Sequence, residues 1–330
     1  MTLDEIQRRL QETCQRRFGV EPESCFMKGP LAVRDNSNLF YAECSAFPSP
    51  LAVKLCLKPH TSEPDATSAQ SQYDALHRVS QAMGEGTEYS VPQPHLVQAD
   101  IGLLAMEWIT GKSMTDLVFS RHCKPAQAQQ LIARAGRWLR HFHACHPLTP
   151  ARLDIEEKLA FVAEMASAGA VSDRVFIHGL VQLRESAKHA AAVTLNRSWI
   201  HGDFKTDNLI ISGARTIGID IHLRQEALVI YDLAPFLNHL ELHRYHPNGW
   251  RLSRSQALLQ ETFLVSYLEG GGDAIATPLA WVRLYMILAA WYSAHTHSVS
   301  WGHLRFLHFC YRGVASRLIS RVSRQGSGHA

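Results

Sequence analysis

Residues 201–208 read HGDFKTDN, with Asp203 and Asn208 five positions apart, and the apolar run LII follows them directly. The turn sequence SGA and a second run, TIGI, come next, and this second run ends at Asp220. Two short apolar runs joined by a tight turn predict an antiparallel hairpin. The residues at the open end of such a hairpin lie side by side, so we expect Asn208 and Asp220 to be neighbours. Their oxygens, with the Asp203 carboxylate, are hard ligands that suit Mg²⁺ bound to phosphates.

This pattern resembles the catalytic loop and the metal-binding loop of the protein-kinase-like fold. Its His-Gly-Asp start is similar to the small-molecule branch, the aminoglycoside phosphotransferase and choline kinase-like family. The resemblance implies that Asp203 accepts the proton of the attacking hydroxyl, and that Asn208 and Asp220 hold Mg²⁺ that bridges the phosphates of ATP. Lys205 would help to neutralise the transferring phosphoryl group. A lone HGD tripeptide fits an acidic turn equally well, but the complete pattern is more specific.

A second element of the resemblance is Lys54, which lies within the apolar run LAVKLCL at residues 51–57. A lysine inside a buried strand is costly unless it is paired. One interpretation is an edge strand whose lysine reaches solvent. The resemblance implies instead the strand lysine that contacts the α- and β-phosphates of ATP.

The run LLAMEWITG at residues 103–111 is similar to the hinge strand of the family and the linker that follows it. The resemblance implies that adenine bonds to backbone groups near Glu107 and Trp108, between apolar side chains. A core strand that ends at a glycine would show the same sequence, and the two interpretations are compatible.

The expected nucleotide loop departs from the family because it is not rich in glycine. Its sequence is RDNSN at residues 34–38, between two strand-like runs. Backbone N–H groups and the side chains of Ser37 and Asn38 could still bind phosphates, since short polar residues tolerate a tight backbone. A plain hairpin turn is an equally good interpretation.

The acidic partner expected for Lys54 is also missing from the predicted helix between Ala66 and Met83. The family glutamate would fall at Gln72, and glutamine cannot neutralise an ammonium group. This departure supports an alternative function, a nucleotide-binding pseudokinase with a regulatory or scaffold role. A protein kinase is disfavoured, because the eleven residues between Asp220 and Asp232 are too few for a peptide-binding activation segment.

Two features beside the catalytic loop have structural interpretations. The resemblance implies that Asp232 anchors the backbone of that loop, although an ordinary helix cap would also use an aspartate. A cluster of three histidines and one cysteine at residues 141–146 suggests a metal site. On a helix only His141 and Cys145 of this cluster share a face, and two ligands make a poor zinc site.

Composition excludes several classes of protein. The net charge of +3 is too small to indicate nucleic-acid binding, and the longest apolar run is too short to cross a bilayer. The N-terminus is interrupted by charges and does not resemble a signal peptide. Seven scattered cysteines without a CxxC pair favour free buried thiols in a reducing compartment, so we expect a cytoplasmic protein.

The resemblance covers most of the chain and predicts an α+β, two-lobed protein-kinase-like fold. Residues 1–110 would form a nucleotide-binding N-lobe around a small antiparallel sheet. Residues 111–330 would form a mainly helical C-lobe with the catalytic loop, the metal loop and the acceptor site. Helical patterns cover roughly 125–146, 153–192, 230–242, 253–270 and 278–320.

The predicted activity is an ATP- and Mg²⁺-dependent transfer of phosphate to a hydroxyl of a small molecule. From residue 233 to the end the chain has nine arginines, no lysine and four acids. Polycationic acceptors need carboxylates to replace the hydration of each ammonium group. We therefore expect kanamycin-like aminoglycosides to be poor acceptors, unless acids near residues 154–157 enter the site.

Overall fold

The computed structural model describes residues 2–19, 21, 25–84, 86–221, 223, 226–245, 249–269, 273–297 and 300–327. Its helices are α1 Leu3–Phe18, α2 Ala66–Met83, α3 Met114–Val118, α4 Pro125–Ala144, α5 Glu156–Ala168, α6 Arg174–Ala192, α7 Ile230–His243, α8 Gln256–Leu268, α9 Ala276–Thr296 and α10 Trp301–Ser327. Its strands are β1 Cys25–Arg34, β2 Ser37–Cys44, β3 Leu51–Cys56, β4 Tyr89–Ser90, β5 Pro94–Gln98, β6 Leu103–Glu107, β7 Lys112–Ser113, β8 Thr149–Arg152, β9 Thr194–Trp199, β10 Leu209–Ser212, β11 Arg215–Gly218 and β12 Glu226–Leu228.

The chain forms two compact units. Unit 1 contains residues Met1–Lys112 and Ile210–Leu223, and unit 2 contains Ser113–Leu209 and Arg224–Ala330. The predicted boundary near residue 110 placed the β10–β11 hairpin in the second lobe. In the structure β11 pairs in parallel with β4, Thr216 opposite Tyr89, and this pairing brings the hairpin into unit 1.

Unit 1 is built around a five-stranded sheet in the order β1-β2-β3-β6-β5, in which all neighbours are antiparallel. Helix α1 packs on this sheet because Ile6, Leu10 and Cys14 recur every four residues on its buried face. Thr2 caps the helix by accepting a hydrogen bond from the N–H of Glu5 at 3.3 Å. Strand β3 lies between β2 and β6, so nearly all of its side chains are buried.

The sequence prediction of free thiols is wrong for two of the seven cysteines. Cys25 and Cys44 occupy facing positions on β1 and β2 and form a disulfide. Directly opposite positions on paired antiparallel strands bring two Cβ atoms within bonding reach. The other five cysteines are free, among them Cys14, which is buried beside this pair.

Unit 2 is mainly helical, and stacked aromatic side chains fill part of its core. Phe204 of the catalytic loop is fully buried, with its ring 5.6 Å from that of Trp138 and 5.0 Å from that of Phe236. Phe263 of α8 continues the stack, 4.1 Å from Phe236. Helix α4 approaches α8 closely at Gly136, where a Cβ atom would lie 2.6 Å from a backbone oxygen of α8.

The structure corrects the predicted helices of this unit in two places. The pattern at 153–192 contains two helices, α5 and α6, because Gly169 ends α5 in a left-handed conformation with φ of 60°. The pattern at 278–320 likewise contains α9 and α10. A small antiparallel sheet, β8-β9-β12, was not predicted. None of the helices in the described part of the chain is both long and apolar enough to span a membrane.

Candidate active site

One buried carboxylate holds the backbone of residues 200–208 in unit 2, which we call the catalytic loop after its predicted role. Asp232 is 0% exposed and accepts hydrogen bonds from the backbone N–H of His201 at 2.6 Å and of Gly202 at 3.0 Å. Its Oδ2 also lies 3.0 Å from Nε2 of His143, whose Nδ1 lies 2.8 Å from the Tyr267 hydroxyl. Asp232 therefore anchors the loop backbone, as the resemblance implied, and α4 and α8 support it.

Asp203 projects from this anchored loop, and its side chain is 52% exposed. The Lys205 ammonium lies 2.7 Å from its Oδ2, and the Asn208 amide donates to the same oxygen at 3.1 Å and to the Asp203 carbonyl at 2.8 Å. The structure thus brings Asp203, Lys205 and Asn208 together. These contacts orient a solvent-facing carboxylate that can accept a proton.

The second half of the loop is attached to α3 and α7. The Thr206 hydroxyl lies 2.6 Å from that of Thr115 and 2.8 Å from Nε2 of His239. His239 is also 3.6 Å from the Asp207 carboxylate. Burial, reinforced by the neighbouring His243, lowers the pKa of His239 well below its usual range, so the ring is neutral at pH 7.

A cavity of unit 1 combines apolar walls with a charged end. The apolar part is lined by Ala52, Leu104, Met106 and Ile219, among others. The charged and polar lining residues are Arg34, Ser37, Lys54, Gln72, Glu107 and Asp220, and of these Arg34 and Lys54 both contact Asp220. Such a division suits a ligand with a flat apolar ring and an anionic tail.

Lys54 and Asp220 form an ion pair at the charged end. The ammonium of Lys54 lies 2.9 Å from Oδ1 of Asp220, and the Arg34 guanidinium lies 3.0 Å from Oδ2. Burial alone would raise the pKa of Asp220, but the charges of Lys54 and Arg34 outweigh it and lower that pKa to about 2. Asp220 also has a positive φ of 57°, a conformation that aspartate adopts more readily than most residues.

Gln72 does not pair with Lys54. Its amide nitrogen donates to the Ser68 hydroxyl at 2.9 Å and approaches Cys56 Sγ at 3.6 Å. The counter-charge that sequence reasoning sought on α2 is supplied by Asp220, from the end of the hairpin. The missing glutamate therefore does not leave Lys54 unpaired.

At the predicted hinge, Glu107 and Trp108 both line the cavity. Their backbone N–H groups are already used, since Glu107 donates to the Gln93 carbonyl at 2.8 Å and Trp108 donates to that of Pro50 at 3.0 Å. The Glu107 carboxylate accepts from Gln93 N–H at 3.3 Å and lies 3.5 Å from Arg215. These two N–H groups therefore already have acceptors within unit 1.

The predicted phosphate-binding residues lie on β2, next to a two-residue turn at 35–36. Ser37 is buried and lines the cavity. Asn38 does not line it, although its Oδ1 is buried without a hydrogen-bond partner among the described residues. The structure thus supports Ser37 as a cavity residue and leaves the role of Asn38 a prediction.

A model of the phosphotransferase enzyme family matches residues 46–272. The chain belongs to this family. The match spans Lys54, β6, residues 200–208 and the β10–β11 hairpin, and it confirms the family that the sequence resemblance predicted. A comparison with curated protein sequences finds no relative.

Solved structures of small-molecule kinases share the fold. A choline/ethanolamine kinase family protein from Mesorhizobium loti is 15% identical over 100% of this chain and 96% of its own, with a TM-score of 0.55. A thermostable mutant of an aminoglycoside phosphotransferase, in a ternary complex with AMP-PNP and hygromycin B, is 12% identical over 97% and 99%, with a TM-score of 0.57. Amicoumacin kinase in complex with AMP-PNP, Ca²⁺ and its ligand is 12% identical over 98% and 96%, with a TM-score of 0.54. The predicted α+β, protein-kinase-like fold is confirmed.

Asn208 and Asp220 each offer an oxygen atom of the kind that hard divalent ions prefer. Because the Asn208 amide nitrogen donates to Asp203, its amide oxygen is left to act as an acceptor. Asp220 offers a carboxylate that stays ionised at neutral pH. Asn208 lies in unit 2 and Asp220 in unit 1, so their expected proximity stays a prediction.

Sequence reasoning missed several residues that support the site. Tyr267 and His239 carry no recognisable motif. Phe204 and Arg34 lie within the quoted segments HGDFKTDN and RDNSN, but their partners are distant in the chain. The one available signal was His143, which falls on the apolar face of a predicted helix, where a buried histidine needs a polar partner.

Proposed function

We propose that this phosphotransferase transfers the γ-phosphoryl group of ATP to a hydroxyl of a small molecule, in a Mg²⁺-dependent reaction. The observation that carries the proposal is the exposed Asp203 carboxylate, presented by a loop whose backbone is fixed to buried Asp232. A general base must be accessible to the acceptor and oriented, and Asp203 meets both conditions.

The roles of the remaining residues follow from their charges. Lys54 contacts the phosphates of ATP, and Lys205 stabilises charge on the transferring group. Asn208 and Asp220 would hold the metal, which when bound would neutralise charge on the phosphates. Ser37 and Asn38 bind phosphate from the β1–β2 hairpin, and backbone groups around Glu107 and Trp108 contact adenine.

Positioning and charge neutralisation account for most of the rate enhancement in phosphoryl transfer. Asp203 accepts the hydroxyl proton, while its contacts with Lys205 and Asn208 keep the carboxylate in one orientation. The neighbours that bind AMP-PNP support a nucleotide as donor. The alternative, a pseudokinase, is not favoured. It was suggested by Gln72, which stands where an acidic partner for Lys54 was expected, but Asp220 supplies that counter-charge.

The acceptor is proposed to be an alcohol other than a polycationic aminoglycoside. Of the acids after residue 233, Glu241 is buried between Arg283 and Arg317, and Glu269 pairs with Arg140. These carboxylates already have cationic partners, so they offer little to an ammonium-rich ligand. We propose a cytoplasmic location, which the five free cysteines support.

The test is a screen for acceptor-dependent ADP release by the purified protein with ATP and Mg²⁺. The panel contains simple alcohols, sugars, amino-alcohols and kanamycin-like aminoglycosides. We expect turnover with at least one non-aminoglycoside alcohol, and loss of turnover when the metal is chelated. ATP binding without phosphorylation of any alcohol would favour the pseudokinase. Resistance to aminoglycosides in a sensitive bacterium that depends on Asp203 would refute the proposed acceptor class.

A further inference from the structure

Arg34 is a cation that lines the unit 1 cavity, and the proposed reaction assigns it no role so far. It ends β1, and its side chain is 63% exposed. Its guanidinium forms an ion pair with the Asp220 carboxylate, 3.0 Å long. Among the described residues that line the cavity, the acids are Asp220 and Glu107, and Glu107 already contacts Arg215. Arg34 and Lys54 therefore share one carboxylate.

The hairpin that carries Arg34 is unsuited to binding phosphate with its backbone alone. Register pairs Arg34 with Ser37, so the turn between β1 and β2 contains only Asp35 and Asn36. A loop that wraps phosphates with consecutive N–H groups needs glycines and more length. This turn has neither. A guanidinium can supply the missing donors, because its planar fork matches a phosphate group.

We propose that Arg34 binds the phosphates of the nucleotide and exchanges between them and the Asp220 carboxylate. The proposal rests on the function proposed above and adds a phosphate ligand to it. An exposed arginine can make this exchange because its long side chain keeps its rotamer freedom, whereas Lys54, only 12% exposed, is held within the sheet.

The exchange has two consequences of opposite sign. Without divalent metal, Arg34 contributes to the affinity for ATP, and the Asp220 carboxylate competes with the phosphates for its guanidinium. Without nucleotide, Arg34 neutralises Asp220 and so weakens the attraction of that carboxylate for a metal ion. Removing Arg34 should therefore weaken metal-free ATP binding and strengthen nucleotide-free metal binding. A residue that only stabilised the fold would weaken both.

The experiment measures binding by calorimetry for the wild type and Arg34→Ala. ATP, ADP and adenosine are titrated in a chelator, and Mn²⁺ is titrated without nucleotide. For Arg34→Ala we expect the Kd for ATP to rise about tenfold, the usual effect of losing one charge-assisted hydrogen bond. The Kd for adenosine should change less than about twofold, and the Kd for Mn²⁺ should fall several-fold.

The matched control is Lys28→Ala, which removes one positive charge from an exposed position on the same strand, outside the cavity. Asp220→Asn should tighten metal-free ATP binding, because it releases both Arg34 and Lys54 from the carboxylate that they share. Unchanged ATP affinity in Arg34→Ala, or an equal loss in Lys28→Ala, would overturn the proposal. If the wild type binds no ATP with or without Mg²⁺, the proposed function fails instead.

Discussion

Replacing Asp232 by asparagine tests how strongly one buried carboxylate holds the catalytic loop. The carboxylate accepts from two backbone N–H groups, at 2.6 and 3.0 Å, and contacts His143 at 3.0 Å. Asparagine keeps one oxygen but turns an NH₂ group toward a donor, so at least one buried N–H loses its acceptor. Losing a charged acceptor in a buried network costs about 3 kcal/mol.

Urea unfolding followed by tryptophan fluorescence measures this cost. Trp108 belongs to unit 1 and the other six tryptophans belong to unit 2, so the signal reports mainly on the unit that contains Asp232. The control is Asp207→Asn in the same loop, whose side chain is 46% exposed, with an expected change below about 0.5 kcal/mol. A loss below about 1 kcal/mol for Asp232→Asn, or equal losses for both variants, would refute the anchoring role.

Three further perturbations act on other charges of the structure. Glu241→Gln leaves Arg283 buried without its charged partner, so it should lower the free energy of unfolding in urea by about 3–5 kcal/mol. The control Arg312→Gln, at a side chain that is 59% exposed, should lower it by less than about 0.5 kcal/mol. Because the folded-state pKa of Asp220 is lowered to about 2, the ionised carboxylate stabilises the fold fully above about pH 4, and this stabilisation is lost as pH falls from about 4 to 2. In Asp220→Asn the free energy of unfolding should therefore depend less on pH over this range. The pKa of His239 is also lowered, so stability should decline as pH falls below about 6.5, and His239→Gln should remove that slope; an unchanged slope would contradict its burial as a neutral ring.

The sequence could predict the parts of the site that are formed by residues close together in the chain. The catalytic loop, the hairpin after it and the lysine in β3 each have a local pattern of charges and apolar residues. Asp232 was predictable because the residues YDLA at 231–234 resemble the segment that carries the family's aspartate after the metal loop. In each case the residues that define the feature are close in the chain.

The partners of these residues could not be predicted, because they come from distant segments. Asp220 meets Lys54 across 166 residues and Arg34 across 186 residues. Tyr267 reaches His143 across 124 residues. Such contacts depend on the register of strands and the packing of helices, and a one-residue shift in register reverses the face of every side chain. This is why the acid for Lys54 was sought on α2 and found at the hairpin.

The disulfide was missed for the same reason. Cys25 and Cys44 are separated by 19 residues without a CxxC pattern. They face each other only once the two-residue turn at 35–36 sets the register of β1 and β2. The number and spacing of cysteines in a sequence do not predict which of them pair.

The turnover of Asp203→Asn tests whether Asp203 is the base of a phosphoryl transfer to an alcohol. With an acceptor found by the screen, phosphate-ester formation is followed by ³¹P NMR, and ATP affinity is measured on the same samples. We expect turnover to fall about 10²–10⁴-fold while the Kd for ATP changes little, since the base faces the acceptor. Near-wild-type turnover in a folded Asp203→Asn variant would contradict this role.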